Sequence, residues 1–225
     1  MDIRTIAIMP TPEPEDDSII AHFSDGLLMN FKKDDVIIQG DEEPEGVYLI
    51  KSGFVRAYSI SREGQKNLLL IHKDGEFMPL PWALDGGHTT GMFYEAMTDV
   101  EILRAGKNQL RSAMGKNSWL SREILAQTVN IVSVYTQRIQ TLEYRTARER
   151  IISEVIYLSA RFGEKQGNQI LINAPITHQD IADSINMTRE TASRALEQLF
   201  NSGLMGQRNH LFTVFDIEKL RNSLG

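Results

Sequence analysis

No cysteine occurs in the 225 residues, which excludes disulfides, thiolate zinc sites and an iron–sulfur cluster held by cysteine. Long apolar runs are missing too: nothing approaches the ~20 residues of a membrane helix, and no signal peptide is evident. The expected location is the cytoplasm, with no membrane partner. An excess of basic residues is also lacking, with 24 Lys+Arg against 30 Asp+Glu and a net charge of −6. That balance speaks against a nucleic-acid partner until its distribution is read. From residue 145 to the end there are 10 Lys+Arg and 9 Asp+Glu, which leaves 14 and 21 for residues 1–144. The acidity belongs to the amino-terminal part, and the carboxyl-terminal part is slightly cationic, enough for local phosphate binding with weak non-specific affinity. A chain of 225 residues is expected to bury two cores rather than one.

The most informative stretch is ITHQDIADSINMTRETASRALEQLFNSGL, from Ile176 to Leu204. Ile181, Ala182 and Ile185 share one face of a first short helix, Met187 falls in a turn, and Ala192, Ala195, Leu196 and Leu199 line a second helix. Ala182 and Ala192 are small where the helices cross. Asn186 stands at the corner, where a left-handed backbone is needed and Asn tolerates it. Thr177, with Asp180 three residues on, and Thr188 are expected N-caps. The spacing predicts a helix-turn-helix.

Away from the apolar faces, Arg189, Glu190, Ser193 and Arg194 span roughly 140° of the second helix at ~100° per residue, so all four can address one groove. Arg binds guanine O6 and N7 bidentately and Glu accepts from cytosine N4, each pair giving about 1–3 kcal/mol of discrimination. The competing reading is a solvated face carrying a Glu190–Arg194 salt bridge, which leaves the helix-turn-helix spacing unexplained. Beyond, LMGQRNHLFTVF (Leu204 to Phe215) has two β-prone runs around a polar centre, a hairpin wing whose Arg208 and His210 can touch phosphate or simply sit exposed. A short capped helix is expected over Asp216 to Leu224.

RETASRALEQL, preceded by ITHQDIADSINMT, resembles the DNA-binding motif of the Crp/Fnr family of bacterial transcription regulators, and the resemblance extends over nearly the whole chain. It implies base contacts by Arg189, Glu190 and Arg194. Glu190, Ser193 and Arg194 follow the Fnr-type pattern while Arg189 is the Crp-type residue, so the half-site is open to a TGTGA-like or a TTGA-like sequence. The resemblance also implies phosphate contacts by Thr177, Gln179, Thr188 and Thr191, through hydroxyls, amide and backbone N–H groups.

The amino-terminal part alternates β-prone runs with glycine-bearing turns: Val36 to Gln39, Val47 to Lys51, Phe54 to Ile60, Gln65 to Ile71, Met92 to Ala96 and Val100 to Leu103. Such spacing predicts a β-sandwich or barrel. VIIQGDEEPEGVYLIKSGFVRAYSI, from Val36 to Ile60, resembles the β-roll of cyclic-nucleotide-binding domains. That resemblance places Pro79 and Leu80 where cyclic-AMP binders carry a ribose-holding Gly-Glu pair, and Thr90 and Gly91 where they carry a phosphate-holding Arg-Ser pair. No charge partner remains for a phosphate, so cyclic AMP is not the expected effector. Leu80, Trp82, Thr90 and Gly91 then line an apolar pocket for an unidentified effector, or the PLPWAL segment (Pro79 to Leu84) is a packed cap without ligand. His72 and His88 have no companion motif for haem and read as a strand-end and a loop histidine. The acidic run Asp41 to Glu45 reads as a solvated turn rather than a cation site. No metal site and no cofactor are expected.

A long helix, roughly Ser118 to Tyr144, separates the two parts. Ile124, Thr128, Ile131, Tyr135, Arg138 and Leu142 recur at spacings of 4 and 3, a seam suited to a parallel helix pair, and Leu125, Val129, Val132 and Ile139 form a second stripe. One stripe is expected on the roll and the other on a partner subunit. Arg145 to Arg150 reads as a hinge, Ile151 to Phe162 as an amphipathic helix packing the reader, and Gly163 to Asn168 as a turn. Met1 to Glu15, with three prolines, reads as an arm.

The whole predicts an α+β chain: an amino-terminal antiparallel β-roll (double-stranded jelly-roll) over 1–116, a dimerisation helix over 117–144 and a winged helix-turn-helix over 145–225. The expected function is that of a homodimeric, non-enzymatic regulator reading palindromic double-stranded DNA, with RNA polymerase as a further candidate partner. Half-sites would lie about 34 Å apart, and an effector would act by population shift. Alternatives are a constitutive DNA binder, or a β-roll ligand or protein-interaction module. A cupin-like enzyme would require a His-x-His and Glu cluster that the strands lack.

Overall fold

The computed structural model describes residues 26–85 and 91–224. His88, Thr90 and the Met1 to Glu15 arm lie outside that range. In the amino-terminal unit β1 (Leu27–Phe31), β8 (Val100–Ala105), β3 (Val47–Ser52) and β6 (Phe77–Met78) form one four-stranded sheet in that order. The second runs β2 (Val36–Ile38), β7 (Met92–Ala96), β4 (Val55–Ile60), β5 (Lys66–His72). Alternation along a strand sends successive side chains to opposite faces. Ile50 and Ile102 pair across β3 and β8 and, with Val55 and Ala57 of the other sheet, are fully buried in the roll. The opposite face of the first sheet, Val47, Leu49, Leu103 and Ala105, is covered by α1 (Leu80–Ala83), α2 (Lys107–Lys116) and the start of α3 (Ser118–Thr141). Strand β3 is therefore buried on both faces, which accounts for its continuous apolar run VYLI.

The β3–β4 corner needs glycine. Gly53 has φ +94°, and a Cβ there would stand 2.5 Å from the Asp99 carbonyl oxygen. Polar bonds pin α3 to the roll: Gln127 Oε1 accepts from Phe77 N–H at 2.9 Å, and its Nε2 donates to Gly75 O and to Glu123 Oε1, each at 2.9 Å. His72, ending β5, is buried with Nδ1 3.3 Å from Glu76 Oε2. The acidic run is an exposed turn as expected, Asp41, Glu42, Glu43 and Glu45 all being exposed, with Glu43 accepting from Trp82 Nε1 at 3.4 Å and Glu45 pairing with Arg104. Asp85 pairs with Arg111 and Lys107, whose hydrogen bonds to its carboxylate, Arg111 first, hold its carboxyl below the usual carboxylate range.

A second compact unit takes in Ser61–Leu68, with the first residues of β5, and the chain from Tyr135, within α3, onward. It carries α4 (Ala147–Phe162), the hairpin β9 (Gly163–Gln166) and β10 (Gln169–Ile172), α5 (His178–Ser184), α6 (Arg189–Asn201), the hairpin β11 (Met205–Arg208) and β12 (Leu211–Val214), and α7 (Ile217–Asn222). Its four strands form one antiparallel sheet, β11-β12-β10-β9.

Three sequence expectations shift. Gly163 to Gln166 is a strand rather than a turn, the reversal being confined to Gly167 and Asn168, where Gly167 adopts φ +62°. Residues 147–150 of the expected hinge belong to α4, because Thr146 caps it: its hydroxyl accepts from Glu149 N–H at 3.2 Å while Glu149 Oε2 accepts from Thr146 N–H at 2.9 Å. Strands β1 and β6 were also not anticipated.

Thr146→Ala is expected to cost about 1 kcal/mol of stability in chemical denaturation. The Thr146 hydroxyl and N–H bonds hold the Glu149 carboxyl below its ordinary 4.5. A lowered folded-state value stabilises above the unfolded-chain value and is lost as pH falls through the folded one. The variant's deficit should therefore be full near neutrality and shrink on acidification below that range; a deficit independent of pH would contradict the coupling.

Candidate nucleic-acid interface

Helices α5 and α6 pack through the anticipated side chains. Ile181, Ala182, Ile185, Ala192, Ala195, Leu196 and Leu199 are all buried. Asn186 takes φ +53° at the corner, and Met187 N–H donates to Ala182 O at 3.0 Å, closing the turn. Both helices are capped as expected, Thr177 accepting from Asp180 N–H at 3.1 Å and Thr188 from Thr191 N–H at 3.3 Å.

Arg189, Glu190 and Arg194 are exposed on α6, and Ser193 is half-buried beside them. The Arg194 Nε donates to the Glu190 backbone oxygen at 3.3 Å, so the guanidinium is held at the helix surface without an ion pair to the Glu190 carboxylate. Ser193 is engaged by a residue that sequence reading passed over: His178 Nδ1 lies 3.0 Å from its Oγ. Nothing in the spacing marks His178, because the bond crosses between helices.

The candidate phosphate contacts are partly committed inside the fold. Thr177 Oγ1 donates to Asp180 Oδ2 at 2.6 Å, Gln179 Nε2 to Asp183 Oδ1 at 2.6 Å, and the Thr188 and Thr191 hydroxyls are bonded to each other at 3.0 Å. On α6 the first-turn N–H groups at Arg189 and Glu190 have no intrahelical acceptor. Arg208 and His210 are exposed at the wing, where Asn209 and His210 adopt φ +50° and +66° in a two-residue turn closed by the Arg208–Leu211 pair.

A second feature absent from sequence reading ties the end of α3 to this unit. Arg138 NH1 donates to Ser184 O, the last residue of α5, at 2.8 Å. The same nitrogen stands 3.5 Å from Glu154 Oε2, and the guanidinium lies 5.8 Å from the Tyr157 ring centroid. Arg138 was expected on the subunit seam; it is instead turned into the reader.

In the roll, Leu80 and Trp82 are buried among Phe77, Leu110, Leu120 and Ile124 and are part of that core. Gly91 is exposed. Ile124 is likewise in that core and Ile131 packs against it, so the two helix stripes divide unequally: the first serves the roll over its amino-terminal half. Leu125, Val129, Val132, Ile139 and Leu142 are the exposed apolar side chains of this region. Periodicity weighted both stripes alike and so could not tell them apart. Among the described residues there is no group of three or more His, Asp or Glu able to hold a metal, and no helix is long and apolar enough to cross a membrane.

An antiparallel β-roll, a long helix and a winged helix-turn-helix define a two-part DNA-binding regulator. Residues 28–117 match the cyclic nucleotide-binding domain and residues 149–223 the Crp-like helix-turn-helix domain. The chain is 26% identical to the nitrogen fixation regulation protein FixK of Rhizobium meliloti over 175 residues, covering 78% of this chain and 75% of that protein. It is 27% identical over 191 residues to the global nitrogen regulator of a Nostoc species, covering 84% and 85%. The structure of FixK2 from Bradyrhizobium japonicum superposes with a TM-score of 0.73 at 25% identity, over 88% of this chain and 96% of that one. A CooA variant from Carboxydothermus hydrogenoformans shares the fold, with a TM-score of 0.79 at 19% identity over 97% and 99% of the two chains. The chain belongs to the Crp/Fnr family of transcription regulators, and it is a regulator rather than an enzyme.

Proposed function

We propose that the protein is a homodimer that reads a palindromic DNA site through Arg189, Glu190, Ser193 and Arg194, one recognition helix per half-site. The observation that carries this reading is the α6 surface, where three exposed charged side chains and Ser193 stand together opposite the buried face of Ala192, Ala195, Leu196 and Leu199. Such a helix fits the major groove, with Arg and Glu supplying bidentate and acceptor chemistry to base edges. Phosphate positioning falls to Thr177, Gln179, Thr188 and Thr191 at the helix starts and to Arg208 and His210 on the wing, with backbone N–H groups of α6 sharing the load.

The partner-facing surface is the stripe of Leu125, Val129, Val132 and Ile139. Exposed apolar side chains scattered singly need no explanation, but a contiguous row on one helix marks an interface. Its spacings of 4, 3 and 7 suit a parallel pair. Leu80 stands where a cyclic-AMP binder would hold ribose, and its burial favours a roll that works without cyclic nucleotide.

Replacing Arg194 with Ala tests the reading. Specific affinity should fall by about 1–3 kcal/mol, roughly 5- to 150-fold, toward the non-specific level, while the oligomeric state stays unchanged. Undiminished discrimination between the selected site and random DNA would overturn the assignment.

A further inference from the structure

Serine is an ambivalent reader of DNA, since its hydroxyl both donates and accepts, and alone it distinguishes bases poorly. In this protein Ser193 is not alone. His178 Nδ1 lies 3.0 Å from Ser193 Oγ, and the imidazole is wedged between Phe200 and Phe212, with centroids 6.5 and 5.7 Å away and the Phe212 ring nearly parallel at 21°. Its other nitrogen, Nε2, is shielded from solvent and has no hydrogen-bond partner among the described residues.

A neutral imidazole carries one N–H. If that proton sat on Nε2, a donor would be buried against phenyl rings with nothing to receive it. Buried orphan donors are the rarer and costlier case. With the proton on Nδ1, the ring donates to Ser193 Oγ and leaves only a bare acceptor in the apolar pocket. Ser193 Oγ, already accepting from the ring, then offers its own O–H outward.

We propose that His178 is a positioning residue that fixes Ser193 as a hydrogen-bond donor, so that the base read by Ser193 must present an acceptor: a purine N7, guanine O6 or thymine O4. The cytosine N4 amino group, a donor, meets only the one lone pair left on Oγ and is disfavoured at that position. This rests on the reading of α6 as the recognition helix. The same donor would equally suit a phosphate oxygen, which carries no sequence information, and the outcomes below separate the two.

The experiment has two arms on the full-length protein. In the first, 15N-labelled histidine is observed by long-range 1H–15N correlation, with the His178 signal assigned by its loss in His178→Phe. A protonated Nδ1 and a bare Nε2 are expected; the reverse pattern overturns the proposal whether or not any variant binds DNA. In the second, sites are selected from a random duplex pool by wild type, Ser193→Ala and His178→Phe, the last keeping an aromatic ring between Phe200 and Phe212. Ser193→Ala should erase preference at one position per half-site. His178→Phe should relax that same position to admit a base presenting a donor and leave the others intact, and the double variant should add nothing to Ser193→Ala. If His178→Phe leaves that position as selective as wild type, or lowers affinity uniformly over all sequences as a phosphate contact would, the proposal fails. If Ser193→Ala alters no position while Arg194→Ala does, it is Ser193 as a base reader that fails, and α6 remains the recognition helix.

Discussion

Arg138→Met is expected to destabilise the carboxyl-terminal unit by about 3–5 kcal/mol, because it strands the buried Glu154 carboxylate without its cation. The Glu154 side chain is 7% exposed and that of Arg138 16%, so water offers little compensation. The Ser184 carbonyl at the end of α5 loses a charged donor at 2.8 Å as well, and a guanidinium at a helix carboxyl terminus also complements the macrodipole. Met keeps much of the aliphatic stem over Tyr157, which confines the change to charge. Restoring neutrality with Glu154→Gln in the same chain should recover most of the loss, a coupling that a double-mutant cycle measures. Both tryptophans, Trp82 and Trp119, belong to the amino-terminal unit. Their fluorescence should keep its wild-type denaturation midpoint while the helical circular dichroism of the second unit melts early. Coincident, unshifted transitions would show that Arg138 does not hold this unit together.

The second large effect concerns assembly. The paired substitution Val132→Glu and Ile139→Glu puts four like charges into the proposed subunit seam. Burying a charge without a partner is severely unfavourable, and a loss of about 4 kcal/mol corresponds to a ~1,000-fold weaker dimer. Val132 and Ile139 are 58% and 67% exposed in the single chain, so the substitutions should leave the monomer fold intact. Sedimentation at micromolar concentration should then show a 25.5 kDa species, and binding to a palindromic site should collapse with it, because each monomer reads only half. A dimer of unchanged affinity would mean that the stripe does not face a second copy.

What could be read from the sequence was whatever local periodicity and capping chemistry determine. The helix-turn-helix was legible because Ile181, Ala182 and Ile185 repeat with helical spacing and because Thr177, Asp180 and Thr188 announce the helix starts. The longer roll strands were legible from β-branched runs between turns. Strand β6 was not: Phe77 and Met78 are too few to carry a period, and only pairing with Tyr48 and Leu49 makes them a strand. Nor was the division of labour on α3, since Ile124 and Leu125 are adjacent and equally apolar, and only packing shows that one is in the core and the other exposed. The two polar features that organise the reader, His178 with Ser193 and Arg138 with Glu154, join residues 15 and 16 positions apart in sequence. Such bonds are set by how helices cross, which no local pattern encodes.

The central claim, a symmetric reader built around α6, is tested most directly by selecting bound duplexes from a random DNA pool with the wild-type protein. The account predicts an enriched inverted repeat whose half-site centres lie about one helical turn apart, with its most selective positions lost in Arg194→Ala. Enrichment of a single asymmetric site, or of no sequence at all, would contradict it.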